Sequence, residues 1–151
     1  MLILRNPLTN NYDPIIQKTY SSSSVDAITF TVDVGVPNSY LVAAYMNATF
    51  NPQNMSLPSQ YLIKNGIFSA GNQFNAVYMK YGSNNITISI KGLQSYQNYS
   101  LFYYATVDNP AINSKPTQVY YSNIQTSVYT VYDLSGEFIT VALTMILVVW
   151  L

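Results

Sequence analysis

Six carboxylates, no histidine and no cysteine are the raw material for chemistry in this chain of 151 residues. The acids are Asp13, Asp26, Asp33, Asp108, Asp133 and Glu137. Glycoside hydrolysis needs two carboxyl groups facing each other across a scissile bond, whereas these six are scattered singly. Asp26 and Asp33 lie seven residues apart on one predicted strand, which points their side chains to opposite faces; both read as solvated surface groups. Without His the chain lacks the usual general base and the commonest metal ligand, and no imidazole is at hand to activate a serine. Without Cys it has neither disulfides nor thiolate metal sites. No glycine-rich phosphate loop is present. The residues therefore argue against an enzyme and imply no cofactor and no metal.

Two other kinds of residue carry chemistry. Four sequons place a candidate glycosylated amide at Asn47, Asn54, Asn85 and Asn98, each followed two residues later by Ser or Thr. Asn54 and Asn85 fall in predicted loops, and Asn98 is sterically tighter. The chain also holds fifteen tyrosines. Phe102, Tyr104 and Tyr120 are predicted on outward strand faces, where rings with a polar tip favour an interface; the competing reading is that a terminal segment or flanking loop covers them.

Residues 138–151 are a third feature, an apolar run without charge. Phe138, Ile139, Val141, Leu143, Ile146, Leu147 and Trp150 are its candidates for insertion into a membrane or a partner. Fourteen helical residues reach about 21 Å, short of the roughly 30 Å hydrocarbon core of a bilayer. The run therefore reads as a marginal span, a shallow insertion or a segment buried on protein. Helix is favoured, although its Ile, Val and Thr content also suits a strand donated to a neighbour. A lipid-anchor signal, preceded by small residues such as Ser122 or Ser135 and Gly136, is a further option.

The elements that must position these residues are strands. Ile28, Phe30, Val32 and Val34 alternate with Thr29, Thr31 and Asp33, the pattern of a half-buried strand. After a turn at 35–39, the apolar stretch 40–46 is continuous enough for a central strand packed on both sides. Residues 47–71 are irregular, with a short helical turn over 59–66 closed by Gly66. Strands over 74–80 and 86–90 flank 82–85, which reads as a polar hairpin loop. In the second of them Ile86, Ile88 and Ile90 share one face. Next, Tyr99, Leu101, Tyr103, Ala105 and Val107 share a face, with Leu93 six residues before Tyr99. A long loop over 108–116 leads to a last strand at 117–126, with Val119 and Tyr121 aligned.

Leu93, Tyr99 and the alternating run that ends in alanine resemble the F strand of fibronectin type III domains, and their spacing suits a tyrosine corner. The resemblance covers roughly 25–126. It implies an all-β, immunoglobulin or fibronectin type III-like sandwich of about seven strands, followed here by the hydrophobic segment. Many such domains carry a strand-B or strand-C tryptophan; the only Trp here is Trp150, which leaves the subtype open.

The expected organisation is an N-terminal extension (1–24), the sandwich (25–130), and a linker and tail anchor (131–151). The extension reads as a plain terminus or as an arm reaching onto a neighbour; Leu2, Ile3 and Leu4, followed by Arg5, Asn6 and Pro7, are too short an apolar run for a secretion signal. Six basic and six acidic residues give zero formal net charge, which argues against nucleic acid as a partner. Half the residues are apolar, which argues against disorder. The expectation is a structural subunit of a surface assembly, such as a cell envelope layer, filament or virion shell. It would be membrane-associated at a cell or virion surface, contacting membrane or neighbouring subunits through the tail as a homo- or hetero-oligomer. The alternative is a membrane-anchored adhesion or ligand-binding module.

Overall fold

A computed structural model describes residues 13–36, 38–107 and 114–128. Among these, the strands are β1 (Lys18–Ser23), β2 (Ala27–Asp33), β3 (Ser39–Met46), β4 (Ile67–Ser69), β5 (Asn72–Gln73), β6 (Ala76–Gly82), β7 (Asn85–Lys91), β8 (Asn98–Thr106) and β9 (Tyr120–Gln125). One helix, α1 (Gln60–Lys64), lies between β3 and β4. The strands form a three-stranded sheet β1-β2-β7, a four-stranded sheet β6-β3-β8-β9 and the small pair β4-β5. The pairings within the two large sheets are all antiparallel. In immunoglobulin lettering these are A-B-E and C′-C-F-G. The constant-type arrangement puts its fourth strand beside E; here that strand, β6, pairs with C. The result is a fibronectin-like β-sandwich.

Between the sheets lies an inner core that follows from alternation. Ile28, Phe30 and Val32 of β2, Ile86, Ile88 and Ile90 of β7, Leu41 and Ala43 of β3, and Tyr99, Leu101, Tyr103 and Ala105 of β8 are buried together. Phe30 meets Tyr103 edge to face at 4.6 Å. Burying each large apolar side chain is worth about 1.5–3 kcal/mol, and the polar alternates stay outside. The tyrosine corner closes this core at one end. Tyr99 is buried, and the Gln94 backbone N–H donates to its hydroxyl at 2.9 Å.

A second core lies on the other face of the C′CFG sheet. Val42 and Ala44 of β3 and Phe102 and Tyr104 of β8 are covered by Phe50, Ile63 and Phe74 from the segment that follows β3. The central strand is thus packed on both sides, as its continuous apolar run implies. The helical turn forms where expected: the Leu62 N–H donates to Ser59 Oγ at the N-cap, and Gly66 stops the helix at φ +74°, a conformation glycine adopts without a Cβ penalty.

Four expectations are corrected. The sandwich includes Lys18–Ser23, ahead of the expected start at residue 25, because β1 pairs along its whole length with β2. All six β1 side chains are exposed, so backbone hydrogen bonds hold the strand and no apolar pattern announces it. Residues 82–85 do not close a hairpin. β6 and β7 belong to different sheets, and the chain crosses between them through Asn84 at φ 63°, a left-handed conformation that asparagine tolerates. Phe102 and Tyr104 are not on an open face, being 0% and 4% exposed. Tyr120 also faces the other way: it sits opposite Tyr103 across the β8–β9 ladder and stacks on it at 5.8 Å, on the inner core. Val119 and Tyr121 share the outer face, as aligned, but that face packs on the second core.

Candidate functional site

Among the described residues, a candidate binding surface is built on the C′CFG sheet by the segment between β3 and β6. Its base is fixed by polar contacts. The Phe50 N–H donates to Ser100 Oγ at 2.8 Å and to Asn123 Oδ1 at 3.2 Å, while Asn123 Nδ2 donates back to the Phe50 carbonyl at 3.0 Å. Ser100 Oγ in turn donates to the Ala48 carbonyl at 2.7 Å. Gln60 Nε2 donates to the Thr117 carbonyl at 2.9 Å, tying α1 to the segment that leads into the last strand. The segment is thereby held as part of the domain.

α1 divides this surface into two open clefts. One, of about 210 Å³, is lined by Tyr40, Tyr61, Lys64, Met79, Tyr104 and Thr106 among others. Tyr61 is 73% exposed, and Tyr81 extends the aromatic surface, its ring 5.0 Å from that of Tyr40. The Tyr81 hydroxyl donates to Asn38 Oδ1 at 2.7 Å, fixing the ring. The other cleft, of about 500 Å³, is lined by Met55, Leu57, Pro58, Leu62 and Phe68 together with Ser56, Ser69 and Asn72. These surfaces suit non-covalent recognition. Burial holds the Tyr104 hydroxyl above the usual phenol range. Burial, followed by the neighbouring Tyr78 and Tyr99, does the same for Tyr45.

The sequence-predicted residues are spread over this frame and converge on no single site. The amides of Asn47, Asn54, Asn85 and Asn98 belong to exposed residues. Asn85 is the first residue of β7, not a loop position. In the Asn98 sequon the hydroxyl residue, Ser100, is fully buried. Asp33 accepts the Gly35 N–H at 3.1 Å and Asp26 the Ser24 hydroxyl at 3.3 Å, each two residues away in the chain, while Asp13 accepts the Lys115 N–H at 2.8 Å and ties together two segments distant in sequence. Among the described residues no group of three or more His, Cys, Asp or Glu is placed to hold a metal, and no helix is long and apolar enough to cross a membrane. Asp108, Asp133, Glu137 and the candidate insertion residues Phe138, Ile139, Val141, Leu143, Ile146, Leu147 and Trp150 lie outside the described residues.

Sequence reasoning missed Tyr40, Tyr61, Met79 and Tyr81. The alternation of Val77, Met79 and Tyr81 with their neighbours was available as a signal, but reading 74–90 as a hairpin hid which sheet that face belongs to.

The fold and this surface define a fibronectin-like β-sandwich module with a helical insertion. No family model matches the chain, and no curated protein matches it. Among solved structures it is similar to the FN5 domain of Drosophila Lar, at 11% identity and a TM-score of 0.37, covering 77% of this chain and 98% of that one. At that distance the fold assignment rests on the strand order described above.

Proposed function

We propose that this chain is a non-enzymatic structural subunit of a surface assembly, displaying its sandwich outward and attached through residues 138–151. The observation that carries the reading is that, among the described residues, the last strand of the two large sheets ends at Gln125, while the sequence goes on to an uncharged apolar run over 138–151. Such a run left in water drives association, and attachment to a membrane or a neighbouring subunit gives it a use. A surface of Asn, Ser, Thr and Tyr with little charge suits lateral packing in an envelope layer, filament or virion shell.

The test is truncation after Gly136. The shortened chain should be a folded, soluble β domain that no longer floats with lipid vesicles or sediments as an assembly, while the full chain does one or the other. A shortened chain that associates as well as the full one, or that does not fold, would sink the reading. One observation favours the second reading, a membrane-anchored adhesion or ligand-binding module: the exposed tyrosine cleft around Tyr40, Tyr61 and Tyr81. If vesicle-bound full-length chain stayed monomeric, that reading would replace the first.

A further inference from the structure

The smaller cleft beside α1 is walled by tyrosines from three elements and carries one charge. Tyr40 of β3, Tyr61 of α1 and Tyr104 of β8 line it, with Met79 and Lys64 beside them. Its volume of about 210 Å³ is small beside the roughly 300–1,000 Å³ of pockets that engulf a small molecule. A narrow segment laid across it is the occupant such a shape admits.

The walls are set before anything binds. Buried Ile63 and the Gln60 bond to the Thr117 carbonyl fix the helix that carries Tyr61. The Tyr40 ring is backed by Tyr81, whose hydroxyl is tied to Asn38. Even so, Met79 and Tyr81 stay exposed, as does Tyr61. Tyr104 supplies a second observation. Among the described residues no fully buried side-chain polar atom lacks a partner, and Tyr104, a buried residue, makes no hydrogen bond to any of them through its hydroxyl. That hydroxyl therefore opens into the cleft the residue lines.

Hydrogen-bond chemistry selects the occupant. Lys64 offers three donors and no acceptor, the phenols can donate, and no carboxylate lines the cleft. The one lining amide, Gln60, has its Nε2 committed to Thr117. Such a site suits a ligand rich in acceptors and poor in donors. A sugar, whose hydroxyls all donate, fits it poorly. A polyproline II segment fits on each count. Its prolines carry carbonyls but no N–H, its backbone makes no internal hydrogen bonds, and its pre-set conformation docks on aromatic-lined grooves at low entropic cost. Lys64 adds a preference for an acidic neighbour to the prolines. The seven prolines of this chain stand singly, so the segment belongs to another molecule.

We propose that the Tyr40–Tyr61–Tyr104 cleft binds a proline-rich segment of a partner protein in polyproline II conformation, flanked by an acidic residue. The site is independent of how residues 138–151 are used, since an assembled subunit and a tethered module can both present it.

The probe is a fluorescein-labelled octaproline with a glutamate at each end, titrated by fluorescence anisotropy into the full chain in mild detergent. The comparisons are the same peptide with lysine ends, a Gly-Ser peptide with glutamate ends, and a chitin oligosaccharide. The glutamate-ended octaproline should bind on the order of tenfold more tightly than the Gly-Ser peptide, and several-fold more tightly than its lysine-ended form. Tyr61→Ala should weaken it about tenfold. Tyr104→Phe, which removes the hydroxyl alone, should weaken it roughly threefold to tenfold. Lys64→Glu should reverse the preference between glutamate and lysine ends. Tyr20→Ala, at an exposed tyrosine of β1 outside the cleft, should change nothing. No binding by the unaltered chain at millimolar peptide would overturn the proposal, as would a loss in Tyr20→Ala equal to that in Tyr61→Ala. Binding unmoved by both Tyr61→Ala and Tyr104→Phe would overturn it too. Binding of the oligosaccharide in place of the peptide, lost in Tyr61→Ala, would assign the cleft to sugar and do the same. None of these outcomes bears on the attachment reading, which stands or falls by truncation.

Discussion

The two cores of this domain are built by different rules. The inner one lies between strands that each contribute every second residue: Ile28, Phe30 and Val32 face Leu101, Tyr103 and Ala105 across the sandwich. The outer one has a strand face only below, from Val42, Ala44, Phe102 and Tyr104; above it lie Phe50, Ile63 and Phe74, brought in singly by a segment of little regular structure. A strand face closes a core through repetition, whereas an irregular segment must be pinned residue by residue, here by Ser100, Asn123 and Gln60. The inner core should therefore behave as the cooperative unit of the fold, and the outer as a cover that can open by itself.

The most damaging test of that difference is Phe30→Ala. Phe30 is fully buried between the sheets and in edge contact with Tyr103. Its truncation should cost about 3–5 kcal/mol, seen as a large fall in the urea midpoint with all probes moving together. Ile63→Ala removes an equally buried side chain from α1. Substitutions of this kind cost roughly 2–5 kcal/mol, and the lower end is expected because a five-residue helix can lift instead of leaving a rigid cavity. Its mark should be faster hydrogen exchange and proteolysis confined to 47–75, while β2, β7 and β8 stay protected. Equal, global loosening in both variants would abolish the distinction between core and cover.

Much of the inner core was legible because period-two alternation is a direct record of one buried face. The strands β2, β7 and β8 and the corner at Leu93 and Tyr99 all announce themselves this way. β1 does not, since its six exposed side chains leave only backbone pairing to define it. Nor does a polar turn state whether its flanking strands pair, so Gly82, Ser83, Asn84 and Asn85 read as a hairpin although the chain changes sheets there. The outer core was hardest to read. An aromatic on the far side of a strand looks the same in sequence whether solvent, a partner or the chain itself covers it, and Phe102 and Tyr104 are covered by the chain itself. Tyr120 was misplaced for a simpler reason: shifting a strand by one residue exchanges its faces.

The tyrosine corner sharpens the comparison at smaller cost. Tyr99→Phe keeps the ring in the inner core but leaves the Gln94 N–H without its phenol acceptor. The loss should be about 1–3 kcal/mol, read as a lower melting temperature with the outer cover unaffected. Unchanged melting would mean that water replaces the hydroxyl and that the corner contributes packing alone.

The smallest effect separates the cores by their phenols. Tyr104 lies under the outer cover and Tyr45 packs at the margin of the inner core; both hold their protons above the usual phenol range. An unfolded phenol titrates near pH 10, so above that pH the unfolded chain binds fewer protons than the native one, and unfolding becomes easier as pH rises. The stability these groups contribute is thus fully present below about pH 10 and is lost on going higher. Tyr45→Phe and Tyr104→Phe should each reduce the loss of stability between neutral and strongly alkaline solution. Salt distinguishes them. Burial alone raises Tyr104, whereas Tyr45 also feels the phenolate charges of Tyr78 and Tyr99, which added electrolyte screens. The benefit of Tyr45→Phe should therefore shrink at high ionic strength, and that of Tyr104→Phe should not. If both respond to salt alike, solvent ions reach the Tyr104 phenol through the cleft it lines, and the cover over Phe102 and Tyr104 opens more readily than its packing implies.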